Sequence, residues 1–247
     1  MRLTFLSLLM LVTASPLAAA ETSSPPAPPV AAPAAVPDPA AGAAEPAADP
    51  RPLSSAQTAL FETPHLKAIG HPETLAYRFE RTGPDPLVDK VAIHIVTVYP
   101  DSTKLVTFDF LTGAHHHPYP SIDHFSGNPL LMVFLEHDVT EMRDQIGIAA
   151  AYFRNRVREA FIDQATVTTI SYKFGDRTVP AQLITLKPFA HVERLEKLPA
   201  IQQNEYRFVL SDAVPGQLAE LATTIPADPA SGGPVVTETL SFTGEAP

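Results

Sequence analysis

Residues 127–163 read GNPLLMVFLEHDVTEMRDQIGIAAAYFRNRVREAFID, and this is the one long stretch with helical periodicity. In its first half Leu131, Phe134, Leu135, Met142 and Ile146 recur at three- and four-residue spacing, which places them on one helix face. Tyr152, Phe153, Val157, Ala160 and Phe161 repeat the pattern in the second half. Gly147 lies between the halves and lowers helix propensity by about 1 kcal/mol against Ala, so the spacing predicts two helices or one kinked helix. Asn128 and Pro129 supply a cap and a first-turn residue for the first helix. The opposite face is read as Glu136, His137, Glu141 and Asp144, then Arg154, Arg156 and Arg158. An apolar stripe of this kind needs a partner surface, and the flanking sequence supplies strands.

Upstream, residues 74–81 alternate Leu75, Tyr77 and Phe79 with Ala76, Arg78 and Glu80, the period of a half-buried strand. Residues 90–99 are apolar on both faces, which suits a central strand, and 104–111 bring Val106, Phe108 and Phe110 to one side. Short turns between them imply an antiparallel meander. Residues 112–128 show no clear period and read as a loop. Downstream, 166–174 and 179–186 pair across a turn at Gly175-Asp176-Arg177; 205–211 and 235–242 are further strands, and 217–224 is ambiguous between strand and helix. A short helix is expected near 56–61. Strands interrupted by one helical unit indicate an α+β fold: a curved, half-barrel-like antiparallel sheet with an inserted pair of helices.

The chain ends of this plan differ in kind. Residues 1–20, with Arg2, an apolar run from Leu3 to Val12 and a closing Ala18-Ala19-Ala20, have the form of a cleaved signal peptide. That pattern predicts export to the periplasm. No later apolar run reaches the roughly 20 residues that a transmembrane helix needs. In residues 21–50, 20 of 30 positions are Pro or Ala and none is aromatic or basic, the composition of a disordered, polyproline-rich spacer. Residues 51–247 then form a single α+β domain.

Cys is absent, which excludes disulfide staples and thiolate chemistry. The formal net charge is -10; losing Arg2 and the four acids of the spacer leaves about -7 on the remainder, which argues against nucleic acid as a partner.

Four places could carry chemistry. His115, His117 and His124, with His116 and Asp123 nearby, offer imidazoles for a divalent transition metal, although the spacing matches no established motif and an exposed polar loop reads the same way. His137 and Glu141, four apart on a helix, suit a metal or acid–base work, or a solvated face. Arg154 and Arg158, with Arg156, could hold an anion or pair with neighbouring acids. Met132, Phe134 and Phe153 would line any cavity left between helices and sheet, and otherwise are core. Ser121 and Ser126 flank His124, but no G-x-S-x-G accompanies them.

The order of elements, an exported leader followed by a meander around an inserted apolar helical unit, resembles the periplasmic lipoprotein-localisation carriers. The likeness covers about residues 70–243 and carries over no functional residue. It implies an acyl chain or other apolar ligand held between a curved sheet and a helical lid, without a cofactor and without catalysis. YRFERTG (77–83), FDFLTG (108–113) and YRFVLSDAVPG (206–216) are similar to stretches of uncharacterised exported bacterial proteins. The functional expectation is thus an exported binding protein for an apolar small molecule or an envelope protein. A His-dependent metal protein or hydrolase using residues 115–124, and an adaptor presented on the Pro/Ala spacer, are the alternatives.

Overall fold

The computed structural model describes residues 51–228 and 232–246. The signal-peptide and spacer readings lie outside the described residues. Four strands precede the helical unit: β1 (Glu73–Thr82), β2 (Leu87–Val98), β3 (Lys104–Phe110) and β4 (Ile122–Phe125). Five follow it: β5 (Thr166–Phe174), β6 (Arg177–Leu186), β7 (Glu205–Leu210), β8 (Leu218–Ile225) and β9 (Val236–Ala246). All join in one antiparallel sheet, ordered β4-β3-β2-β1-β9-β8-β7-β6-β5, which is not closed. Each half is a meander, and the pairing of β1 with β9 welds the two halves together.

Two helices link the sheet's edges. α1 (Ser55–Gln57) is a short lead-in turn, and α2 (Leu130–Ile146) and α3 (Ala150–Asp163) form the pair expected from periodicity. Because the chain leaves the sheet at β4 and re-enters at β5, this pair has to run from one edge strand to the other. Gly147 ends α2 in the left-handed region (φ 75°), donating its N–H to the Arg143 carbonyl, so the break is a C-cap and not a kink. The N-cap of α2 is Pro129 and not Asn128; Asn128 lies one residue further out, its Oδ1 accepting from the Leu130 N–H at 3.1 Å. α1 carries a capping box: Ser54 Oγ accepts from the Gln57 N–H and Gln57 Oε1 from the Ser54 N–H. Ser54 Oγ donates in turn to the Phe161 carbonyl, tying the lead-in to α3.

The two faces of the sheet differ, and the register shows why. One inward row runs Ile184–Phe208–Leu221–Leu240–Phe79 across five strands and is apolar throughout. It packs with Val91, Ile93, Val106 and Phe110 against Phe134, Met142, Phe153 and Phe161 of the helices in one continuous core. Two expectations change. β2 is central but not covered on both sides, since Val88 and Val96 are exposed on its outer face. Residues 112–128 are not all loop: a short helical turn, Gly113–His115, and the four-residue β4 lie within them. The ambiguous stretch is strand β8 (Leu218–Ile225), with Leu218 and Leu221 buried in the main core and Ala219 in a smaller outer cluster with Ala181, Val209 and Val214.

Candidate functional site

Two residues along each strand from the apolar row, the register brings Tyr206, Thr223, Glu238 and Arg81 into line on β7, β8, β9 and β1. These share the inward face, so alternation carries polar groups into the interior. α2 lies over them with His137, Asp138 and Glu141. Sequence reading put His137 on the solvent face of α2. It is 4% exposed, with its ring 5.1 Å from that of Phe110 and 6.0 Å from that of Phe79.

The hydrogen bonding centres on one cation. Arg81 Nε donates to Glu238 Oε1 at 2.5 Å, and its Nη2 donates to Glu141 Oε1, so one guanidinium clasps a sheet carboxylate and a helix carboxylate. Tyr206 Oη donates to Asp138 Oδ2. His137 Nε2 stands 3.5 Å from Glu141 Oε1 and 3.8 Å from Glu238 Oε2. Neither His137 Nε2 nor Glu238 Oε2 has a hydrogen-bond partner among the described residues, although both are buried. Most buried polar atoms find partners, so a facing orphan pair is unusual.

Burial sets the protonation states. It lowers the His137 pKa to about 4, against the pull of Glu141, and so holds the imidazole neutral. It raises Asp138 to about 7, offset in part by the Tyr206 hydroxyl. Glu238 is pushed up to about 8 by burial and then by the Glu141 charge, with Arg81 acting the other way.

The cluster opens to solvent through a cleft of about 340 Å³ between α2 and the sheet. Its walls include Pro84, Met142, Ile225 and Val236 on the apolar side and Asp85, Asp138, Glu141 and Glu238 on the acidic side, with Arg81 among them. Even with Glu238 protonated near neutral pH, Asp85, Asp138 and Glu141 outnumber Arg81, so the cleft favours a positively charged guest.

The other expected sites are placed differently. Met132 is 43% exposed, whereas Phe134 and Phe153 are wholly buried in the filled core, and none of the three lines this cleft. Leu131 and Val133, the residues on either side of Met132, are buried, and a helix cannot bury a full turn against one sheet, so Met132 turns outward. Arg154 is held by Glu136 in a two-pronged pair at 2.7 and 2.6 Å, Arg156 pairs with Glu159, and Arg158 donates to Asn155. Local acids therefore take up the first two arginines.

The loop histidines do not assemble. His115 is exposed in its helical turn, His124 stacks on Tyr99 at 4.3 Å with Nδ1 3.2 Å from Thr103 Oγ1, and neither Ser121 nor Ser126 is its partner there. His117 instead approaches the buried cluster, its ring 5.7 Å from that of His137. Among the described residues, the set of metal-capable atoms lying within 4.8 Å of one another is His137, Glu141 and Glu238. The i, i+4 spacing of His137 and Glu141 signalled two of the three. Glu238 carried no local signal, because register alone brings it there.

Together, fold and site define an open antiparallel sheet with helices packed on one face and a polar cleft between them. Comparison with known proteins adds no name to that class: neither a family model nor a curated sequence matches the chain. No helix among the described residues is long and apolar enough to cross a membrane.

Proposed function

We propose that this is an exported, non-enzymatic binding protein of half-barrel type, in which the sheet curves around α2 and α3 and the cleft beside Arg81 receives the ligand. The observation behind this reading is the row Tyr206–Thr223–Glu238–Arg81. The adjacent row shows that the same strands pack well with apolar side chains. Burying ionisable groups is costly, and an apolar replacement of buried ion pairs is often neutral or stabilising. A polar row kept at the mouth of a cleft therefore supports recognition more than folding.

The cleft suits a small organic molecule with an apolar body and a cationic or proton-donating head. The body would lie on Met142, Ile225 and Val236, and the head would meet Glu141, Asp138 and Glu238. A bare acyl chain fits the apolar wall alone. The test is native mass spectrometry of untagged protein recovered from the compartment to which it is exported. Extra mass of a small organic molecule is expected, and Ile225→Trp, which fills the cleft without touching the polar row, should remove it. A bare polypeptide, or extra mass that persists in a folded Ile225→Trp protein, overturns the reading.

A further inference from the structure

We infer that His137, Glu141 and Glu238 form a binding site for one divalent transition-metal ion beside the cleft. The geometry comes first. His137 Nε2 lies 3.5 Å from Glu141 Oε1 and 3.8 Å from Glu238 Oε2. Ligand atoms placed about 2.1 Å from a tetrahedral zinc ion lie about 3.4 Å from one another. The His137 nitrogen is therefore already spaced from both carboxylates much as such ligands are, and all three ligand atoms lie within 4.8 Å of one another.

The unpaired atoms are the second observation. His137 Nε2 and Glu238 Oε2 are buried, lack partners among the described residues and face each other across this space. Two unpartnered buried polar atoms this close together are costly by themselves, and a cation that displaces any proton between them satisfies both. The donor set, one imidazole and two carboxylates, suits first-row divalent metals such as zinc or manganese.

Arg81 is compatible with this arrangement. Its bond to Glu238 uses Oε1 and leaves Oε2 to the metal. On Glu141 it shares Oε1 with His137, so the metal would take that carboxylate's other oxygen or a shared one. In either case Arg81 becomes the outer-shell donor that orients both carboxylates. Glu141 and Glu238 both line the cleft, so water or a donor atom of a guest molecule can approach an ion held between them. The site uses the cleft of the proposed function but needs no organic ligand, so either can hold without the other.

The experiment is calorimetric titration of ZnCl2 into the full, untagged chain after chelator treatment and dialysis, repeated with MnCl2. One saturable equivalent is expected for one of the two ions. Glu141→Gln, whose side chain is partly exposed and whose loss leaves the core untouched, should weaken that binding by at least about 100-fold, the upper range for losing an outer-shell partner. Glu238→Gln should do the same. His115→Ala/His116→Ala/His117→Ala should retain the site, which separates it from adventitious binding by the loop. Absence of a saturable equivalent for both ions, binding unchanged in a folded Glu141→Gln protein, or binding lost only in the triple-His variant each overturns the inference.

Discussion

His137 Nε2 and Glu238 Oε2 face each other at 3.8 Å inside the protein, one from α2 and one from β9, and neither has a hydrogen-bond partner among the described residues. Their protonation makes stability depend on pH. Glu238 has its pKa raised from 4.5 to about 8, so between those values the folded chain keeps a proton that the unfolded chain has released. Stability contributed in that way is complete at low pH and is lost as pH rises toward 8. Asp138, raised from 3.8 to about 7, acts with the same sign. His137 acts oppositely: lowered from 6.5 to about 4, it makes stability rise with pH between those values and adds nothing above. Above pH 6.5 the acids are left alone. The melting temperature of chelator-treated protein should therefore fall from about pH 6.5 to about pH 8.5, and Glu238→Gln should flatten the upper part of that fall. Parallel curves for the two proteins would refute the assignment.

Arg81 is bonded to both carboxylates of the cluster. At about pH 9, above the raised pKa of Glu238, Arg81→Met leaves that almost fully buried carboxylate without its partner, and removing one member of a buried pair costs about 3 kcal/mol or more. Urea unfolding should show that loss, and Arg81→Met/Glu238→Leu should recover part of it because the unpaired acid is gone too. A single-variant loss below about 1 kcal/mol would mean that water screens the pair as at an ordinary surface.

Periodicity revealed most of the sheet and both helices, because each strand that alternates has one solvated face. β4 escaped because it is four residues long, sits among His, Pro and Ser, and places His124 at φ 49°. β8 was ambiguous because both of its faces are buried, which erases alternation. His137 was read as solvated because a periodic pattern counts polar residues as surface. Its environment is made by Phe79 and Phe110, from strands that the sequence showed but whose register it did not. Glu238 sits at the far end of the chain from Arg81, and only the β1–β9 pairing brings them together.

The helix residues divide by what they touch. Phe153 meets Phe189 edge-to-face at 5.7 Å and is fully buried, as is Phe134. Phe153→Ala and Phe134→Ala should each cost about 3–5 kcal/mol by chemical denaturation. Met132→Ala, on the exposed side of the same helix, should stay within about 0.5 kcal/mol. A large loss at Met132 would show that its face of α2 is covered in solution.

Gly216 stands where the β7–β8 turn meets the start of α2. Its carbonyl accepts from Asn128 Nδ2 at 2.9 Å, the same amide nitrogen donates to Tyr77 Oη at 3.3 Å, and Asn128 Oδ1 accepts from the Leu130 N–H at the start of α2. The residue has φ 69°, and a Cβ there would come within 2.8 Å of Leu75 Cδ1 and 3.3 Å of Asn128 Nδ2. Gly175, in the β5–β6 turn, has a similar φ of 58° but open space around it. Gly175→Ala should therefore cost only the left-handed backbone penalty, about 1 kcal/mol. Gly216→Ala adds crowding against Leu75 and disturbance of the Asn128 bonds, for a total of about 2–4 kcal/mol. The difference between the two, read from denaturation midpoints at a common slope, isolates the packing of this turn against β1 and α2. Equal losses would mean that Leu75 gives way freely, and that the Asn128 junction does not fix the position of α2 over the sheet.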